Sequence, residues 1–216
     1  MGNTRVLDEN NSYLNKLLEE IRDQDIQKDR LRFRYNLERA GEIMAYEISR
    51  SFDYQDKNIK TPLGDANIAV PDEDIVICSI LRAAIPMHNG FLRIFDHADN
   101  GFISAYRKHT DENEFEIRLE YLAAPELDGK TLILIDPMLA TGRSMNISYQ
   151  SLIEESGIPD KAYLASLIAS EEGVDHVRKM VPDANIYLAS MDGELTAKSF
   201  IVPGLGDAGD LAFGEK

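Results

Sequence analysis

Cysteine is almost absent from this sequence, and tryptophan is missing altogether. With Cys78 alone in 216 residues, no internal disulfide can form. Cys78 sits inside the apolar run "IVICSIL" (75–81), which predicts a buried, inert thiol rather than a nucleophile. No apolar run approaches the roughly 18 residues that a membrane helix needs. The opening "MGNTRVLDEN" has no apolar secretory core, and Val6 stands where a myristoylation signal carries Ser or Thr. A cytoplasmic protein with no membrane partner is expected. Positive charge is also scarce: 23 Lys and Arg face 38 Asp and Glu, a net charge of −15. That balance argues against a nucleic-acid partner, whose backbone calls for clustered cations. A small anionic ligand remains possible, because a few arginines can dominate one pocket. His88, His97, His109 and His176 show no metal-ligand spacing. There are no repeats or low-complexity tracts, and the length suits one core, so residues 1–216 are expected to form a single domain.

The hydrophobic pattern has two regimes. Residues 12–23, "SYLNKLLEEIRD", place Leu14, Leu17, Leu18 and Ile21 on one helical face, and a second amphipathic helix is expected over roughly 28–51. These make an N-terminal helical region over 1–55. The segment 53–72 reads as loop or short strand. From residue 74 onward, uniformly apolar strands ("DIVICSIL", "TLILID", "AYLASLIAS", "NIYLASM") alternate with helical stretches. Strands of this kind are buried on both faces, which predicts an α/β fold with an open, mostly parallel sheet flanked by helices. "FISAYRK" (102–108) and "FEIRLEYL" (115–122) alternate more and read as an antiparallel β-arm within 100–125.

The strongest chemical signal is "TLILIDPMLATGRSMN" (131–146), where a buried strand ends at Asp136 and a helix opens after Thr141-Gly142-Arg143-Ser144. Ligands of open parallel sheets bind at the carboxyl ends of strands. There, free N–H groups at a helix start make a phosphate cradle. Thr141 and Ser144 add hydroxyl donors, Gly142 allows close approach, and Asp136 can accept from sugar hydroxyls. The same residues also suit a plain strand–helix turn with Thr141 as its cap. "GKT" (129–131) is not a nucleotide-triphosphate loop, because Ala124 stands where the upstream glycine belongs. "IVPGLGDAGD" (201–210) spells a dinucleotide fingerprint at Gly204, Gly206 and Gly209. Only Leu211–Lys216 follow, too little for the helix and strand that fingerprint requires, so another ligand is expected.

"DPMLATGRS" resembles the 5-phosphoribosyl-1-pyrophosphate (PRPP) loop of type I phosphoribosyltransferases, in its uracil phosphoribosyltransferase form. "IVPGLGDAGDLAFG" is similar to that family's C-terminal uracil-binding segment, placed here within 192–216. "ILRAAIPM" (80–87) and "AYRKHT" (105–110) stand where the family carries two pyrophosphate-contacting arginines. The resemblance implies transfer of a phosphoribosyl group from PRPP to N1 of uracil, giving UMP and pyrophosphate. It assigns Arg82 and Arg107 to the pyrophosphate. Asp136, Pro137, Met138, Leu139, Ala140, Thr141, Gly142, Arg143 and Ser144 hold PRPP, and Ile201, Gly206 and Ala208 hold the base. Asp207 faces PRPP or its metal. Catalytic roles then fall to Arg82, Arg107 and Asp207. Mg²⁺ is implied as cofactor, held mainly by PRPP, with GTP as an activator and a homodimer or homotetramer as the assembly.

Three stretches depart from the family pattern. Ala84 and Pro86 replace glycines in 81–87, Arg143 replaces a glycine, and "MDGELTAKSF" (191–200) lacks the usual Gly-Tyr pair before Ile201. Pro86 is expected in the first turn of a helix, where proline is accepted. These departures keep an alternative open: a catalytically weak paralogue that binds PRPP or UMP in a regulatory or structural role.

Overall fold

The computed structural model describes residues 2–111 and 114–215, with the side chains of residues 105–119 outside the described set. In chain order, β1 (Thr4–Val6) leads to α1 (Tyr13–Arg22) and α2 (Arg30–Ser49), then β2 (Tyr54–Thr61) and β3 (Gly64–Pro71). Next come β4 (Ile75–Leu81), α3 (Ile85–Ile94), β5 (Asp99–Asp111), β6 (Glu114–Ala123), β7 (Thr131–Ile135) and β8 (Met138–Leu139). The chain continues through α4 (Arg143–Ser156), β9 (Lys161–Ser170), α5 (Glu171–Met180) and β10 (Asn185–Asp192). It finishes with β11 (Glu194–Leu195), β12 (Ile201–Val202) and α6 (Ala208–Phe213).

The main sheet runs β1-β10-β9-β7-β4-β5-β6, with β8 paired to β9 beside this path. Its neighbours pair in parallel except β5 with β6, the antiparallel arm expected from the sequence. Successive side chains of a strand point to opposite faces, and here both faces are covered. Ile77, Ile133, Ile135, Tyr163 and Tyr187 belong to one core with α1, α2 and α3. Val76, Cys78, Leu132, Leu134, Leu164 and Leu188 belong to a second core with Leu152 of α4 and Val177 of α5. The continuous apolar runs are therefore the sum of two alternating sets. Cys78 is fully buried, and burial pushes its thiol up to about 12, in keeping with an inert side chain.

The first helices form as their sequence periodicity predicts. Ser12 and Asn15 make a reciprocal cap on α1, and Leu14, Leu17, Leu18 and Ile21 are buried. Asp29 caps α2 by accepting from the Leu31 and Arg32 N–H groups. The helices α2 and α3 cross in direct backbone contact: a Cβ on Gly90 would lie 1.9 Å from the Glu38 carbonyl oxygen. This crossing seats α3, and with it the loop that joins β4 to α3.

Two elements differ from the sequence reading. Residues 53–72 hold β2 and β3, two eight-residue strands paired from Tyr54↔Pro71 to Thr61↔Gly64. Both strands are exposed nearly throughout, so no buried face imposed the apolar alternation that marks a strand. β1 is only three residues long and pairs in parallel with β10 at the sheet edge, again without an apolar run to reveal it.

Candidate active site

The PRPP-type loop begins where β7 ends. The Asp136 N–H donates to the Ala165 carbonyl at 3.1 Å, and the Pro137 carbonyl accepts from the Leu167 and Ile168 N–H groups at 3.1 and 3.0 Å. Pro137 is buried and committed to β9, while the Asp136 carboxylate accepts from the Met138 N–H at 3.3 Å. The residue capping α4 is Gly142, not Thr141, with φ of +74° and no side-chain cap. No side chain caps the start of α4, an arrangement suited to an anion-binding helix start. α5 presses against this loop. Ser170 Oγ donates to the Ala140 carbonyl at 2.6 Å and accepts from the Gly173 N–H at 3.0 Å. A Cβ on Gly142 would meet the Gly173 carbonyl oxygen at 2.7 Å, which, with the positive φ, makes glycine the fitting residue there.

The second motif forms a different kind of loop. Arg22 of α1 reaches Asp192 at the end of β10 through two bonds, Nη1 to Oδ2 at 2.8 Å and Nη2 to Oδ1 at 2.9 Å. Asp192 Oδ2 also accepts from the Gly204 N–H at 2.8 Å, and Arg22 Nη1 donates to the Gly204 carbonyl at 3.1 Å. The pair therefore clamps both polar groups of Gly204, whose φ is +56°. Gly206 has φ +95° and open space where a Cβ would be, so its main chain faces the site directly. Asp207 caps α6 by accepting from the Asp210 N–H at 3.0 Å.

The third contribution comes from the β4–α3 loop, which contains a cis peptide between Leu81 and Arg82. Ala84 has φ −74° and ψ −14°, an ordinary right-handed conformation, and it is fully buried. The missing glycine therefore imposes no strain, and Pro86 lies in the first turn of α3 as expected. Arg82 Nη2 donates to the Gly214 carbonyl at 2.7 Å and lies 3.5 Å from Asp210. Its Nε is buried and has no partner among the described residues. Behind this loop, His88 Nδ1 lies 2.8 Å from Ser79 Oγ, and its Nε2 lies 2.8 Å from Asn100 Oδ1. Asn100 Nδ2 donates to the Ala98 carbonyl, so its oxygen accepts from Nε2–H and Nδ1 accepts from the serine. Burial lowers the imidazole pKa, although Asn100 acts in the other direction. His88 thus cross-links β4, α3 and β5 in neutral form.

These loops enclose a cavity of about 270 Å³ at the carboxyl ends of the strands. Asp136, Met138, Leu139, Ala140, Thr141, Gly142 and Ser144 line one side. Ile201, Gly206, Asp207 and Ala208 line the other, so two motifs some sixty residues apart in the chain meet at one site. Arg82 lies in an adjoining cleft that shares Ala83, Asp207 and Gly209 with the main cavity. Arg143 points into a different cleft beside Glu171, Glu172 and Asp175, with Thr141 on the boundary. The Arg107 side chain lies outside the described residues. Sequence reasoning missed Arg22, Asp192, Ser170 and Gly173. None lines the cavity itself, and only the position of Asp192 at the end of an apolar strand offered a signal. No cluster of three or more His, Cys, Asp or Glu side chains suited to a metal occurs among the described residues. No helix among them is long and apolar enough to cross a membrane.

Comparison with known proteins agrees with this geometry. At the level of fold, a purine phosphoribosyltransferase from Pyrococcus horikoshii superimposes with a TM-score of 0.50 at 12% identity, covering 74% of this chain and 85% of that one. The AQ2163 protein from Aquifex aeolicus superimposes with a TM-score of 0.87 at 28% identity, covering 98% of each chain. A uracil phosphoribosyltransferase from Porphyromonas gingivalis is 50% identical over 206 residues, 95% of each chain. One from Pyrococcus furiosus is 37% identical over 210 residues, 96% of this chain and 88% of its own. The profile described as uracil phosphoribosyltransferase matches residues 9–215. With residues 136–144 and the glycine-rich 201–208 loop lining one cavity, this chain belongs to the uracil phosphoribosyltransferase family.

Proposed function

We propose that this protein, as a single phosphoribosyltransferase domain, transfers the 5-phosphoribosyl group of PRPP to N1 of uracil, forming UMP and pyrophosphate in pyrimidine salvage. The observation that carries the proposal is the convergence of residues 136–144 and 201–208 on one cavity. The bond from the anomeric carbon to pyrophosphate breaks with its electron pair on the leaving oxygen. Uracil N1 forms the new bond from the opposite face and loses its proton. No nucleophilic side chain is required, and positioning supplies most of the rate. The α4 start, with Thr141 and Ser144, holds the 5′-phosphate, and Asp136 accepts from the ribose hydroxyls. Arg82 serves the departing pyrophosphate, supported by its unpartnered Nε, with Arg107 as the second arginine. Ile201, Gly206 and Ala208 present main-chain groups to the uracil edge. Cytosine places an amino donor where O4 accepts, and a mispaired buried group costs about 1–3 kcal/mol.

Asp136 and Asp207 are hard oxygen donors lining the same cavity, a set that fits Mg²⁺ held by one or two carboxylates and substrate oxygens. The ion would neutralise growing charge on pyrophosphate. Homo-oligomerisation, as a dimer or tetramer, is supported by the β2–β3 hairpin: an isolated two-stranded ribbon is marginal in water, and this one leaves Leu63 wholly exposed. Activation by GTP is supported by Lys28 and Arg30, which line a cleft with Gly206 and Asp207. A cytoplasmic location completes the reading. The alternative of a weak, PRPP- or UMP-binding paralogue is not favoured, because Ala84 and Pro86 take ordinary backbone conformations.

The deciding experiment offers PRPP and Mg²⁺ with uracil, cytosine, hypoxanthine, adenine or orotate, with and without GTP, and measures nucleotide and pyrophosphate. UMP from uracil alone is expected. Binding of UMP without turnover of any base would refute the enzyme reading.

A further inference from the structure

Among the described residues lining the main cavity, Asp136 and Asp207 are anionic and Lys198 is the single cation. Lys198 belongs to the turn between β11 and β12, whose strands pair Glu194↔Val202 and Leu195↔Ile201. The turn is tightly held. The Thr196 N–H donates to the Phe200 carbonyl at 2.8 Å, the Ser199 N–H to the Thr196 carbonyl at 2.8 Å, and the Phe200 N–H to Thr196 Oγ1 at 3.1 Å. Ser199 accepts φ of +60° to close it. A left-handed serine is uncommon and persists only where surrounding bonds over-determine it. That turn delivers Lys198 to the cavity three residues before Ile201.

Lys198 is exposed, and two further observations bear on what it can do at the cavity mouth. In a chain of net charge −15, Lys198 has no ion pair or hydrogen bond among the described residues. Lys16, Lys28, Lys130 and Lys161 each pair with a carboxylate, and of the described lysines left unpaired, Lys57, Lys60, Lys179 and Lys198, it is Lys198 that lines this cavity. It also shares its cavity with Thr141, Gly142 and Ser144 at the uncapped start of α4. A phosphate placed there would meet backbone dipoles and the Thr141 and Ser144 hydroxyls, beside two carboxylates. Arg82 opens into the adjoining cleft, and Arg143 into one on the far side of Thr141.

We propose that Lys198 binds the 5′-phosphate of PRPP and of UMP from the β11–β12 turn, opposite the α4 start, and so makes the site selective for phosphorylated ligands. The inference rests on the PRPP and UMP assignment above and adds a binding residue to it. Because PRPP and UMP share that phosphate, Lys198 acts on both substrate and product and leaves the uracil contacts alone.

The test compares Lys198→Met and Lys198→Arg with the wild type. It reads KM for PRPP and uracil, UMP affinity by calorimetry at low and high salt, and Tm. Loss of a charge-assisted contact predicts about a tenfold rise in the PRPP KM and the UMP Kd for Lys198→Met. The KM for uracil and the Tm should hold, the salt dependence of UMP binding should weaken, and Lys198→Arg should recover most of the affinity. An unchanged UMP Kd in Lys198→Met overturns the proposal. If the wild type binds UMP but turns over no uracil, the enzyme reading fails while the UMP ratio still judges Lys198. A wild type that binds neither UMP nor PRPP overturns both.

Discussion

Replacing Asp192 by Asn tests whether the glycine-rich 201–208 loop is held in place from behind. The carboxylate receives three bonds, two from Arg22 and one from the Gly204 N–H, at 2.8–2.9 Å. The Asp192 side chain is 7% exposed and that of Arg22 is 22% exposed. Removing one partner of a fully buried ion pair costs about 3–5 kcal/mol. Here the guanidinium is partly hydrated and the asparagine oxygen keeps one acceptor site, which reduces the loss to about 2–3 kcal/mol. For a chain of this size that corresponds to a fall in Tm of about 4–12 °C. Gly204 lies two residues before Gly206, so the released loop should also raise the KM for uracil and leave the KM for PRPP nearly unchanged. Thermal unfolding and steady-state kinetics read the two effects separately. The double variant Arg22→Met with Asp192→Leu should be less destabilised than the sum of the single changes, because neither charge is left alone. A Tm lowered by less than about 1 °C, with the uracil KM unchanged, would show that the pair does not hold the loop.

Three further outcomes follow from the same structure. Gly142→Ala forces a side chain into left-handed backbone against the Gly173 carbonyl; a cost of about 1–2 kcal/mol and a raised PRPP KM are expected, and normal PRPP kinetics would contradict the cradle geometry. His88 has a lowered pKa, so the unfolded chain takes up its proton first. Stability is full above the unfolded value of about 6.5 and declines below it, a slope that urea unfolding should lose in His88→Gln. Glu73 is buried, which alone would raise its pKa, but bonds from Lys161, Thr131 and the Asp53 N–H hold it below the ordinary value. Its contribution is therefore present above the unfolded carboxylate pKa and lost as pH falls through the folded one. Glu73→Gln should flatten the acid limb of stability at a pH lower than the His88 step.

Much of this arrangement was legible because burial writes itself into sequence. Leu14, Leu17, Leu18 and Ile21 mark α1, and the four apolar runs mark β4, β7, β9 and β10, since each is pressed by core on one or both faces. The β2–β3 hairpin was not legible for the converse reason: its strands are exposed, so pairing is carried by backbone bonds that any residues can make. The cavity walls were legible as motifs, because glycine at 142 and 206 answers a local backbone demand. What stayed hidden is action at a distance in the chain. Nothing near Arg22 marks it as the partner of Asp192, 170 residues away, or Ser170 as the bridge to Ala140.

That division explains which departures from the family pattern matter. In the proposed reading, both halves of the site address their ligands largely through main-chain groups: the start of α4 for phosphate, and the 201–208 loop for the base. Main chain cannot be substituted, only displaced. A side-chain change is then serious when it removes what holds the loop, and mild when it leaves the backbone where it was. Arg143 falls in the mild class, because the left-handed turn is made by Gly142 and Arg143 already has helical geometry. Ala84 falls there too, at φ −74°. Lys198 is different, since in the role proposed for it the side chain supplies a charge that no backbone group can replace. In a chain of net charge −15, phosphate affinity should therefore be more sensitive to that one lysine than to either departure in the glycine pattern.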